Sequence, residues 1–206
     1  MARTRSAFRC ADCGHAQPRW TGRCPTCGAW GTLEQALLAT ANGSAEGKTS
    51  QAGPISRVPL GDVDRISTGI GEVDRVLGGG LVPGAVALVA GEPGIGKSTL
   101  LLQVAHSLAT AGRPVLYVSG EESIGQMRLR AERLGALAER LLVASDTSLQ
   151  TVLDLLATHR PAILLLDSIQ AISDADVSSC PGSLTQVREC AAALVRSAKQ
   201  TSTATL

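Results

Sequence analysis

Residues 91–98 read Gly-Glu-Pro-Gly-Ile-Gly-Lys-Ser, the spacing Gly-x4-Gly-Lys-Ser. No other stretch of the chain constrains its fold as tightly. Glycines let the backbone curl until several N–H groups point at one centre, a geometry suited to phosphate oxygens. Lys97 adds a cation for the outer phosphates of a nucleoside triphosphate such as ATP, and Ser98 adds a hydroxyl for a magnesium ion. Such a loop needs a buried strand before it and a helix after it. The apolar run 85–90 precedes it and residues 98–105 follow with helical character, so phosphates would also meet the positive end of a helix. The expected nucleotide contacts are Gly91, Glu92, Pro93, Gly94, Ile95, Gly96, Lys97, Ser98 and Thr99.

The pattern on either side of this loop extends the argument. Short, continuously apolar runs at 86–89, 115–118, 141–144 and 163–166 alternate with helical stretches at 71–77, 98–110, 123–134, 148–158 and 184–199. Alternation of this kind specifies an α/β fold, a parallel sheet covered by helices on both faces. Gly78-Gly79-Gly80 closes the first helix, Gly135 stops the third, and residues 203–206 read as the opening of a further strand. A chain that stops there is expected to be part of a longer one.

Four of the six cysteines cluster as Cys10-x-x-Cys13-Gly14 and Cys24-x-x-Cys27-Gly28. The two-residue gap lets both sulfurs of a pair face one ion, and the glycine permits the tight turn. Four thiolates complete a tetrahedral zinc site with no open position, so the metal is structural and the unit a small zinc ribbon. Trp20 and Trp30 are expected to form its core. Cys180 and Cys190 read as ordinary thiols. The expected organisation is a ribbon at 1–33, a flexible Ala/Gly/Ser/Thr/Gln-rich linker at 34–54, and an ATPase domain at 55–206.

Three further features bear on chemistry. Asp167 ends an apolar run, the usual place for the acid that orients magnesium beside a phosphate loop. Glu121 and Glu122 follow the strand expected at 115–118, where a carboxylate can polarise an attacking water. The same two acids could simply favour a helix N-terminus. Arg128, Arg130 and Arg133 lie on the next helix; one can stack on a nucleotide base, or all three can be a solvated face.

Composition sets limits. With 206 residues, 44% hydrophobic and 18% charged, the chain can bury a real core. A net charge of +1 does not choose for or against nucleic acid. Aromatics at 2% argue against a wide base-stacking platform. No apolar run has the length of a membrane span, and the basic N-terminus lacks the apolar segment of a secretory signal. The cysteine usage fits a reducing compartment, so the expected location is the cytoplasm, with no membrane partner.

The motifs together resemble the bacterial RadA (Sms) family of RecA-like DNA-repair ATPases. The resemblance rests on the two Cys-x-x-Cys-Gly pairs, on Ser67-Thr68-Gly69-Ile70 leading to Asp74-Arg75-Val76-Leu77-Gly78-Gly79-Gly80, and on the phosphate loop. It also rests on Val118-Ser119-Gly120-Glu121-Glu122-Ser123, on Leu166-Asp167-Ser168-Ile169-Gln170, and on Pro181-Gly182-Ser183 before Gln186-Val187-Arg188-Glu189-Cys190. It implies a RecA-like P-loop ATPase core behind a zinc ribbon. The implied activity is DNA-dependent ATP hydrolysis in recombinational repair, promoting branch migration. The implied partners are single-stranded or branched DNA, other recombination proteins and copies of the chain in a ring. It makes Glu121 the first choice for activating water, Glu122 the second, and Arg130 the first choice for the base. It also implies a continuation past residue 206 into a Lys-Asn-Arg-Phe-Gly motif and a protease-like domain. The chain by itself is therefore expected to bind nucleotide weakly, hydrolyse little and form no stable ring. Two other functions remain open on the residues alone: a nucleotide-dependent switch acting on a protein, and a non-catalytic nucleotide- and zinc-binding module.

Overall fold

A computed structural model describes residues 6–37, 54–57 and 64–206. The chain divides into two compact units, Met1–Val63 and Asp64–Leu206.

The first unit is a three-stranded antiparallel sheet of β1 (Ser6–Cys10), β2 (Ala16–Gln17) and β3 (Leu33–Leu37), in the order β2-β1-β3. β1 pairs with β3 from Ser6↔Leu37 to Cys10↔Leu33. The ribbon therefore runs to Leu37, and the linker expected from residue 34 begins no earlier than 38. Most of that linker, residues 38–53, lies outside the described residues. Cys10, Cys24 and Leu33 form the small core, with Phe8 and Cys13 packed against it. The tryptophans do not: Trp20 is 58% exposed and Trp30 75%. The expectation that they fill the core is wrong. Tethering by four cysteines substitutes for hydrophobic burial in a unit this small, so the indoles are not needed inside.

The second unit is a four-stranded parallel sheet in the order β5-β4-β6-β7, formed by β4 (Val115–Ser119), β5 (Leu141–Ser145), β6 (Ile163–Asp167) and β7 (Ala204–Thr205). The helices are α1 (Gly71–Val76), α2 (Lys97–Thr110), α3 (Ile124–Leu134), α4 (Leu149–His159) and α5 (Leu184–Thr201). Alternation along the central strands splits the core into two layers. Val115, Tyr117, Ile163 and Leu165 pack with Leu101, Leu102, Ala105 and Leu108 of α2 and Met127 and Ala131 of α3. Leu116, Val118, Leu164 and Leu166 pack with Leu149, Val152 and Leu156 of α4 and with Cys190 and Leu194 of α5. Helices thus cover both faces of β4 and β6, which are buried at all five positions. β5 is an edge strand, with Leu142 and Val143 each 38% exposed.

One expected strand is largely missing. Residues 86–89 join the sheet through a single parallel bridge, Val86↔Thr205, framed by N–H···O bonds from Ala87 to Thr205 (2.9 Å) and from Thr205 to Ala85 (2.9 Å). A strand exists only as far as a neighbour pairs with it, and β7 offers two residues. Leu88 is accordingly 79% exposed.

Local signals account for the element ends. Ser123 caps α3 in a reciprocal capping box with Gln126, and Gly135 ends the helix in the left-handed region at φ 64°. The Asp74 carboxylate accepts hydrogen bonds from Ser67 Oγ (2.6 Å), Thr68 N–H (2.8 Å) and Thr68 Oγ1 (2.7 Å). Burial raises its pKa, but these bonds outweigh burial and hold it below the usual carboxylate value. Gly80 has φ 122°, and a side chain there would begin 2.5 Å from the Ile66 carbonyl oxygen, where Ile66 and Leu81 bridge. Only glycine fits.

Leu164 is fully buried between β4, α4 and α5. Leu164→Ala should destabilise the second unit by about 2–5 kcal/mol through lost burial and a residual cavity. Urea unfolding followed by circular dichroism measures this; a loss well under 1 kcal/mol would place Leu164 outside the core.

Candidate nucleotide and zinc sites

The zinc ligands sit on two turns of the same design. Gly14 N–H donates to the Cys10 carbonyl (2.8 Å) and Cys10 N–H to the His15 carbonyl (2.9 Å). Gly28 N–H donates to the Cys24 carbonyl (2.9 Å) and Cys24 N–H to the Ala29 carbonyl (2.8 Å). Gly14 and Gly28 take φ 72° and 77°, which the turns require. The four sulfurs lie within 4.8 Å of one another. Cys10 and Cys27 are 3.6 Å apart, and Cys13 and Cys24 are 3.5 Å apart. A tetrahedral zinc with Zn–S near 2.3 Å needs sulfurs about 3.8 Å apart, so four thiols gathered this closely fit the donor set and size of the ion.

The thiols do not behave alike. Burial pushes Cys10 up, but Thr32 Oγ1 at 3.1 Å and the backbone N–H groups of Cys13 and Asp12 outweigh it, holding Cys10 at about 6. For Cys27, the Ala29 backbone N–H lowers the pKa, but burial and the neighbours Cys13, Cys24 and Cys10 raise it to about 12. Four negative sulfurs packed this closely repel one another, and a dication removes that cost.

The candidate nucleotide site lies at the carboxyl edge of the parallel sheet, where ligands of open α/β folds bind. After the bridge at Val86 the chain turns through the phosphate loop into α2. Gly94 and Gly96 have φ 79° and 100°, and Gly96, the N-cap, brings no side-chain hydrogen bond to the first turn. The donors of that turn are left for an anion. Lys97 Nζ donates to the carbonyls of Gly91 (2.8 Å) and Glu92 (2.9 Å). The ammonium thus spans the mouth of the loop.

Parallel register brings the acids to the same edge. Ser119 on β4 lies opposite Asp167 on β6, and Gly120 N–H donates to the Asp167 carbonyl (3.0 Å). Ser119 Oγ accepts the N–H groups of Glu121 (3.2 Å) and Glu122 (2.9 Å) and so sets the turn that presents both carboxylates. The two glutamates then part. Glu121 Oε1 accepts from Ser168 Oγ at 2.6 Å. Glu122 is ion-paired with Arg130 of α3, both about three-quarters buried. Arg130, expected at the base, is therefore held by a carboxylate, and Arg128 pairs with Glu132 on the helix surface (2.9 Å).

Three partners escaped the sequence reading. Tyr117 donates its hydroxyl to Asp167 Oδ2 at 2.9 Å inside the core. Burial, and then the Asp167 charge, raise the Tyr117 pKa and keep it a donor. Ser119 and Ser168 are the others. A tyrosine in the middle of a buried strand was the available signal, because its hydroxyl must find an acceptor.

The AAA domain family matches residues 54–206, about three-quarters of the chain. The chain belongs to that family. Residues 8–35 match the rubredoxin metal binding domain, which covers all four cysteines. The chain is also similar, over almost all of its length, to proteins named DNA repair protein RadA. It is 47% identical to that of Mycobacterium tuberculosis, with 97% of this chain and 43% of the relative covered. The figures are 42%, 97% and 45% for Bacillus subtilis, and 43%, 99% and 46% for Pseudomonas aeruginosa. The chain thus spans under half the length of these relatives. A RecA-like parallel α/β core behind a zinc ribbon agrees with the fold expected from the sequence. Among the described residues no helix is long and apolar enough to cross a membrane.

Cys24→Ser should abolish stoichiometric zinc and unfold the ribbon while leaving nucleotide binding by the second unit intact. Metal analysis and a fluorescent-nucleotide titration on the same preparation check it. Full zinc retention would remove Cys24 from the ligand set.

Proposed function

We propose that this chain carries the zinc ribbon and ATPase core of a RadA-type recombinational repair enzyme, which uses ATP hydrolysis to drive branch migration of recombination intermediates. What supports this reading most is the convergence at one sheet edge of the loop holding Lys97, Asp167 on β6, and Glu121 behind β4, in a chain similar to RadA proteins over 97% of its length. ATP bound with magnesium supplies the phosphoanhydride whose cleavage releases the energy.

The chain's own groups have separable roles in this scheme. Backbone N–H groups of the loop 91–96, Pro93 excepted, and of the first turn of α2 hold phosphate oxygens. Lys97 leaves the Gly91 and Glu92 carbonyls to neutralise charge that grows on the outer phosphate. Ser98 and Asp167 would hold magnesium, Asp167 being oriented by the Tyr117 hydroxyl. Glu121 accepts a proton from the attacking water, and Ser168 holds the carboxylate ready for it. Glu122, neutralised by Arg130, is the weaker candidate for that step. Should Arg130 release Glu122, its guanidinium is the group for the base. The partners of the whole enzyme are single-stranded or branched DNA and other recombination proteins, with further copies in a ring that this chain by itself does not form stably, in the cytoplasm. The expected domain division is a ribbon, a linker and an ATPase domain.

In the full-length protein, Lys97→Ala should lower ATP turnover by about a hundredfold or more, since a positioned charge on the transferring phosphate is removed. Asp167→Asn should raise the magnesium concentration needed for nucleotide binding while leaving the fold intact. A turnover assay across a magnesium series, with and without single-stranded DNA, tests both. Hydrolysis by Lys97→Ala at the unaltered rate would falsify the site assignment.

A further inference from the structure

Both tryptophans of the chain lie on the zinc ribbon, and both are exposed. They converge on one point: a side chain at Gly22 would begin 3.5 Å from Trp30 and 3.7 Å from Trp20. The two indoles therefore stand side by side over a residue that has no side chain to separate them. The turn beneath is braced. Gly31 N–H donates to the Gly22 carbonyl (2.9 Å), Arg23 and Trp30 form a bridge, and Thr21 Oγ1 donates to the Arg23 carbonyl (2.9 Å) while accepting from Gln17 Nε2 (2.7 Å). The Arg23 guanidinium donates to the Gly28 carbonyl (2.9 Å) and lies 5.9 Å from the centre of the Trp30 ring. Arg19 is exposed next to Trp20.

Indoles left in water on a braced scaffold are placed for a ligand. The exposed residues that flank them in sequence include Pro18, Arg19, Thr21, Arg23 and Gly31, of which only Pro18 carries an apolar side chain. A patch built for an apolar protein surface would be ringed by more apolar area. Flat rings beside arginines instead match a strand that offers flat rings and negative charge in alternation. We propose that the Trp20–Trp30 face of the zinc ribbon is a binding surface for single-stranded nucleic acid, with unpaired bases stacking on the indoles and phosphates meeting Arg19 and Arg23. The inference deepens the nucleic-acid part of the proposed function and rests on it. It is compatible with the expectation that a chain with 2% aromatics has no wide stacking platform: the surface is narrow, and its few rings are gathered in one place.

The placement makes the test specific, because tryptophan fluorescence reports on the ribbon alone. The protein is titrated with oligothymidine, with tryptophan quenching and the anisotropy of labelled oligonucleotide followed together. Both signals should saturate at the same concentration. Trp20→Ala and Trp30→Ala should each weaken binding by about tenfold, with zinc content unchanged, and Trp30→Phe should retain most of the affinity. Arg19→Ala or Arg23→Ala should flatten the dependence of log affinity on log salt by about 0.7 for each phosphate no longer neutralised. Anisotropy that rises without quenching, and is unaltered in the zinc-loaded double tryptophan variant, overturns the inference and leaves the DNA-repair reading standing. Quenching without DNA-stimulated hydrolysis would do the reverse. Equal binding and quenching by a duplex of the same length overturns the inference, since paired bases offer no free face. Quenching by a second protein but not by oligothymidine overturns it as well.

Discussion

The parallel pairing of β4 with β6, Ser119 opposite Asp167, is the constraint on which the nucleotide site depends. It sets the depth of Asp167 at the sheet edge and starts the Gly120 turn from the strand beside it. The Gly120 N–H to Asp167 carbonyl bond continues the ladder one residue past the strands, so the glutamates emerge beside the aspartate. A register slip would move Asp167 along the sheet and turn its side chain to the opposite face. The two core layers resist such a slip, because residues 115–118 of β4 and 163–166 of β6 pack alternately against helices on the two faces.

Polar partners then separate carboxylates that the sequence presents as equals. Tyr117 fixes Asp167 from within the core, Ser168 holds Glu121, and Arg130 neutralises Glu122. Glu122 has its charge engaged by a guanidinium, whereas Glu121, bonded to one hydroxyl, keeps lone pairs open to other donors. Packing thus separates the two, although both carboxylates follow the same strand.

The ribbon is held together differently. Its core is three residues with little else packed on it, and its two turns are tied by hydrogen bonds that repeat from one cysteine pair to the other. Metal ligation supplies the cohesion that a larger unit draws from buried area. The largest side chains of the ribbon are therefore released to the surface, where burial alone would have called them inward.

Much of this protein was legible in its residues. The phosphate loop, the paired cysteines and the capping signals Ser123 and Gly135 act through backbone geometry within a few positions, so local sequence states them nearly in full. The helices and central strands followed from apolar periodicity for the same reason. The failures share one cause. Whether residues 86–89 form a strand depends on how far β7 runs beside them, and whether Trp20 and Trp30 are buried depends on what else fills the ribbon. Which arginine meets which glutamate depends on how α3 packs on the sheet. Local sequence determined the chemistry this protein carries. Tertiary structure decided which groups meet and which face water, because burial and pairing are properties of neighbours brought together only by folding.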